Sequence, residues 1–227
     1  VYSWITNETD PSGQANHYTP SSDECVCVFT GRPFAQWNNS TWSVSTEDQT
    51  GLSYYTTYYK GIREASYFIA NVGRCPELSP AEALEWAAEA RFLRAYYHFL
   101  LAQAWGDVPL RVKATTSPNP NDVQMAATPQ EQVLKWCADE IEATIPNLYE
   151  PIDNTPSRVS QTVAQGILAR VYLFMAGESV KQIDGLDKKE MYRRAAYWAN
   201  EVIASHKHDL NESYEEVFIN MIRDQYD

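Results

Sequence analysis

The sequence predicts an all-α protein: stacked helix hairpins in a tetratricopeptide-like array, an α-α superhelix, preceded by an irregular loop-rich region. Three observations carry this. One long segment, Ala88 to Trp105, is apolar on nearly every face, and a helix of that kind has to be covered by other elements. Apolar residues recur at three- and four-residue spacing in segment after segment, each opened or closed by capping or breaking residues. No series of alternating apolar and polar residues marks a sheet. The full tetratricopeptide consensus is not met, so periodicity alone supports a helical repeat array.

Residues 1–46 are rich in Thr, Ser, Asn and Asp, and Pro11, Pro20 and Pro33 interrupt any long helix. A short helix near Val1–Ile5 and a short extended piece over Glu24–Phe29 are expected there. The first long helix runs from about Leu52 to Val72, with Tyr55, Tyr58, Tyr59, Ile62, Ala65, Ile69 and Val72 on one stripe and Gly73 at its end. Ser79-Pro80-Ala81-Glu82 reads as a capping box with proline at the first helical position, and the second helix continues to Trp105. Leu84, Ala88, Phe92, Ala95, Phe99 and Ala102 form one of its stripes. It stops at Gly106-Asp107-Val108-Pro109.

A loop rich in Pro, Asn and Thr covers Ala114–Ala127. Thr128-Pro129-Gln130-Glu131 repeats the capping-box pattern and opens a third helix, to about Ile145, with Leu134, Cys137, Ala138, Ile141 and Ile145 inward. Asp139, Glu140 and Glu142 are expected on its solvated face. A fourth helix spans Ser160–Ala176 before Gly177. A fifth spans Lys188–Ser205, with Tyr192, Ala195, Ala196, Ala199, Val202 and Ile203 inward. A sixth short piece falls at Tyr214–Ile222.

Composition narrows function. A net charge of −12, from 18 Lys and Arg against 30 Asp and Glu, argues against a nucleic-acid partner, which needs a basic footprint. Cys25, Cys27, Cys75 and Cys137 are too scattered for a disulfide framework. No apolar run reaches bilayer length, and no N-terminal signal pattern is present. The chain reads as a portion of a longer protein, from which any export signal or lipid anchor is missing. Among potential chemistry, His206-Lys207-His208 suits a helix C-terminus better than a metal, and His98 belongs inside the second helix. There is no phosphate-binding glycine loop, zincin helix or nucleophile elbow, and no cofactor or metal site is expected.

The stretch Glu89-Ala-Arg-Phe-Leu-Arg-Ala-Tyr-Tyr-His-Phe99, followed by Gly106-Asp-Val-Pro-Leu110, resembles the signature of the SusD/RagB family, glycan-binding lipoproteins of the Bacteroidetes outer membrane. Tyr58–Ile69 looks like the family's preceding helix, where an Asn usually stands at the position of Ser66, and Arg158–Leu173 looks like its later helix. The resemblance covers most of Leu52 to Ile222. It implies one N-terminal helical domain over 1–227, with residues 1–46 packed on the helices of 47–227, and a C-terminal half that this chain lacks.

The resemblance also implies non-catalytic binding of oligosaccharides at the cell surface. The sugar would be delivered to a SusC-like TonB-dependent outer-membrane transporter, with the membrane reached only through a lipid anchor. Arg91 and Arg94 are expected to serve the scaffold, paired with carboxylates or carbonyls of neighbouring helices and the following turn, Asp107 among the candidates. The sugar site is expected in the upstream loop at Arg32, Trp37, Asn38, Asn39 and Trp42. Flat aromatic faces there suit sugar rings, and the amides and guanidinium suit hydroxyls. A competing reading packs Trp37 and Trp42 beneath their own loop. Two other functional classes compete: a helical protein-interaction scaffold without a sugar site, and a fragment of an α/α-toroid glycosidase. The second needs two carboxylates facing across a cleft.

Overall fold

A computed structural model describes residues 1–5, 51–114, 124–150, 158–183, 185–210 and 213–223, with only the backbone of 51–53 and 221. Six α-helices are found among them: α1 (Gly51–Asn71), α2 (Pro80–Trp105), α3 (Gln130–Thr144), α4 (Gln161–Met175), α5 (Lys188–Ala204) and α6 (Tyr214–Ile222). Short 3-10 turns occupy Tyr2–Trp4, Val72–Arg74 and Ile145–Asn147. Extended pairing among the described residues is limited to two isolated bridges, Val108 with Thr128 and Ile183 with Leu186. The predicted all-α class therefore holds.

The chain divides into two compact units, Val1–Gly61 and Ile62–Asp227. Within the first, Tyr55 and Tyr59 pair their rings at 4.9 Å one helical turn apart. Lys60 Nζ lies 5.5 Å from the Trp4 ring centre, and Tyr58 is buried.

In the second unit each long helix packs on the next: α2 on α3, α3 on α4, and α4 on α5. The Ser79 capping box forms as predicted: its hydroxyl accepts from Glu82 N–H, and the Glu82 carboxylate accepts from Ser79 N–H at 2.9 Å. From Ala88 to Ala102, every α2 residue is buried except Arg91 and Tyr96. Deep burial on all sides is what an all-round apolar helix requires. Phe99 meets Phe174 of α4 edge-to-face at 5.8 Å, a favourable aromatic geometry. Val133, Leu134, Cys137, Ala138 and Ile141 of α3 and Leu168, Val171, Tyr172 and Met175 of α4 complete the core.

Two sequence expectations need correction. Pro129, not Thr128, precedes α3, and it makes no side-chain cap; the cap comes from across the turn, where Asp107 Oδ1 accepts from Gln130 N–H at 2.9 Å. On α5 only Met191 and Ala195 are buried. Tyr192 and Ile203, expected inward, are 51% and 71% exposed. Helical periodicity identifies an apolar face but not whether anything covers it.

Candidate functional site

The polar centre of the described structure is built on α2. Arg91, Arg94 and His98 recur at three and four residues, so they share one face of that helix. Opposite them on α3 stands Glu140. Arg91 donates through Nε and Nη2 to the two Glu140 oxygens, at 2.9 and 2.8 Å, the fork-on-fork geometry that makes an arginine–carboxylate pair strong. Arg94 donates through Nη2 to Glu140 Oε1 at 2.9 Å and through Nη1 to Val112 O at 2.6 Å. Its guanidinium also lies 5.7 Å from the Trp136 ring centre.

Burial pushes the Glu140 carboxyl upward, but the hydrogen bonds and charges of Arg91 and Arg94 outweigh it and hold the group below its ordinary value. Glu140 was expected on the solvated face of its helix; it is instead the counter-charge of both buried-helix arginines. Asp107, one candidate for that role, caps α3 instead.

His98 is fully buried. Its ring makes 2.8 and 3.1 Å contacts, Nδ1 with Arg94 O and Nε2 with Arg111 N. A carbonyl only accepts and an amide only donates, so Nδ1 carries the proton and Nε2 accepts from the Arg111 amide. Burial pushes its pKa down to about 4, and the imidazole is neutral at pH 7. Cys137 is likewise a buried thiol, held well above its ordinary pKa by desolvation and by Glu140, which removes thiolate character.

The turn after α2 is fixed by the same set of contacts. Gly106 sits at φ 72°, a left-handed position suited to glycine, and its N–H closes the helix on Ala102 O at 3.0 Å. Val108 and Thr128 exchange two backbone hydrogen bonds, 3.2 and 3.0 Å, and Gln130 Nε2 donates to Ala102 O at 2.8 Å. The Glu-Ala-Arg…Gly-Asp-Val-Pro motif is thus a device that joins α2, the turn and α3.

Several other charged groups among the described residues are also paired. Arg158 donates to Glu85 at 2.8 Å and to Glu89, and its guanidinium lies 5.1 Å from the Tyr149 ring centre. Arg194 donates to Tyr172 Oη at 3.0 Å, and that hydroxyl donates to Glu142 at 3.3 Å. Lys135 holds Asp139 at 2.6 Å. His208 Nε2 lies 2.8 Å from Thr162 Oγ1. Among the described residues, no group of three or more His, Cys, Asp or Glu side chains could hold a metal ion. No described helix is long and apolar enough to cross a membrane.

The loop residues singled out from the sequence, Arg32, Trp37, Asn38, Asn39 and Trp42, lie outside the described residues. Sequence reasoning missed Glu140 as the hub of α2. The spacing that placed it beside Asp139 and Glu142 on a polar face was right for its neighbours. The signal that could have found it was the need of two arginines in an apolar helix for a carboxylate.

Residues 4–173 match the model of the SusD-like family, described as starch-binding and associating with the outer membrane. A SusD-like protein of Bacteroides ovatus is 26% identical over 204 residues, covering 85% of this chain and 36% of that protein. The starch-binding protein SusD of Bacteroides thetaiotaomicron is 27% identical over 199 residues, covering 87% of this chain and 32% of that protein. A solved crystal structure with a xylogluco-oligosaccharide superposes with a TM-score of 0.68 at 25% identity, over 84% of this chain and 36% of that one. The chain spans about a third of the length of the curated relatives it matches.

Proposed function

Because the chain belongs to the SusD-like family, we propose that the protein captures oligosaccharides at the outer surface of the cell without cleaving them. It then hands them to a SusC-like TonB-dependent transporter in the outer membrane. The observation that carries this reading is the family match over residues 4–173. The likeness to a structure with a xylogluco-oligosaccharide adds support. A binding role also fits the carboxylates of α3: Asp139, Glu140 and Glu142 are each engaged with a cation or a hydroxyl, whereas glycoside hydrolysis needs an acid and a base facing one bond.

Sugar contacts are assigned to Arg32, Trp37, Asn38, Asn39 and Trp42. Indole faces stack on the apolar side of a pyranose, and the amides and guanidinium bond its hydroxyls. The lipid anchor that would hold the protein at the membrane, and the seating of the helical array on the transporter, belong to the same proposal.

The exposed apolar side chains of α5 and α6 — Tyr192, Tyr197, Ile203, Tyr214, Phe218 and Ile222 — favour a second reading, a helical interaction scaffold without its own sugar site. A glycan array on the whole native protein separates the two. Retention of a defined oligosaccharide, weakened at least tenfold by Trp37→Ala with Trp42→Ala, supports capture; aromatic contacts at binding hot spots commonly contribute that much. No retention by the native protein supports the scaffold. Unchanged retention by the double variant removes the site assignment.

A further inference from the structure

We infer that His98 is an acid-operated latch: a proton taken up at Nε2 expels the Arg111 amide and releases Leu110–Ala114 from α2. The ring has one donor, aimed at Arg94 O, and one acceptor, filled by Arg111 N–H. A protonated imidazole is a donor at both nitrogens. Nε2–H would then oppose the Arg111 N–H at 3.1 Å, and two donors cannot share that contact.

The groups around the ring deepen the effect. From its own helix the Arg94 guanidinium faces it, already positive and already holding Val112 O. From the released stretch comes the backbone amide of Arg111. From α3 comes Trp136, edge-on at 5.2 Å, while Glu140, the carboxylate bound by Arg94, has both oxygens engaged by Arg91 and Arg94. A second positive charge in this pocket therefore weakens the Arg94 hold on Val112 as well. The release has a natural limit. Upstream, Val108 stays paired with Thr128, so the chain opens beyond that bridge while the turn and α3 remain joined.

Hydrogen exchange by NMR on the intact chain tests the latch. Between pH 6.5 and 4.5 the protection of the Arg111 amide, corrected for the intrinsic rate, is expected to fall about 40-fold. The released ring is already half-charged at its ordinary value of 6.5 and the closed ring titrates near 4, so one proton taken up on opening gives somewhat less than tenfold per pH unit at both ends of this range. At pH 4.5 the Val108 and Thr128 amides should stay at least tenfold better protected than Arg111. In His98→Gln, the Arg111 dependence on pH should vanish. Constant protection in the wild-type chain overturns the latch, as does an equal fall in His98→Gln or a loss shared equally by all three amides. Should His98→Gln not fold, the ring nitrogens of the wild-type chain decide the matter. A neutral ring protonated at Nδ1 at pH 6 supports the latch; a charged ring, or one protonated at Nε2, refutes it.

Discussion

Replacing Glu140 by alanine tests the reading of the α2 motif as scaffold. The carboxylate receives three charge-assisted hydrogen bonds, two from Arg91 and one from Arg94, all at 2.8–2.9 Å. The two arginines do not suffer equally when it goes. The Arg91 side chain is 32% exposed, so water can take over much of its solvation, and an exposed pair contributes little. The Arg94 side chain is only 9% exposed and would keep Val112 O as its remaining described acceptor. Removing one partner of a buried pair costs roughly 3–5 kcal/mol, because the surviving charge is stranded. Glu140→Ala should therefore lower unfolding stability by about 3 kcal/mol or more, read from the midpoint of urea unfolding followed by circular dichroism. Arg94→Met in the same chain should recover part of that loss, since no charge is then left behind. A cost below about 1 kcal/mol, or a double variant as unstable as the sum of the singles, would refute the reasoning.

Three further outcomes follow from the same structure. The buried neutral His98 makes stability fall in mild acid. Above its unfolded value of 6.5 both states are neutral and stability is complete. Below it the unfolded chain binds the proton first, so stability declines until the folded value of about 4 is reached, by at most about 3 kcal/mol; urea titrations at pH 7 and 4.5, with His98→Gln as reference, measure this. Ser66→Ala should leave stability within about 0.5 kcal/mol of wild type or raise it, because the buried Ser66 hydroxyl has no hydrogen-bond partner among the described residues and removing an unmet polar group is not penalised; a fall of more than 1 kcal/mol in thermal unfolding would contradict this. Gly106→Ala should cost about 1–3 kcal/mol through backbone strain alone, since a Cβ there meets nothing within 4 Å, and calorimetry should show the loss without any change in core packing by near-ultraviolet circular dichroism.

The helices were legible in the sequence because their signals are local. The Ser79 capping box, the α2 stripes and the Gly106 stop each depend on residues within a few positions of one another. What escaped depends on long-range partnership. Glu140 lies 49 residues from Arg91, and spacing along α3 says only that it is near Asp139 and Glu142. Asp107 is, by sequence, one candidate partner of the arginines, yet the fold brings it to the start of α3, where an exposed helix N-terminus attracts a carboxylate. On α5 the apolar face was visible, but its cover is a property of neighbours, and Tyr192 and Ile203 remain exposed. The motif that identifies the family names scaffold residues, so it carries little information about the ligand. The loop at Arg32–Trp42 was singled out by side-chain chemistry rather than by pattern.

The central claim is that the signature helix builds the scaffold while the upstream loop meets the sugar. Calorimetric titration of the whole native protein with an oligosaccharide selected on the array, beside urea unfolding of the same samples, tests it most directly. Glu140→Gln should lower stability and leave the affinity of the folded protein unchanged, whereas Trp37→Ala with Trp42→Ala should weaken binding at least tenfold at unchanged stability. The reverse pattern, with affinity lost at Glu140 and kept without the two indoles, would contradict the account.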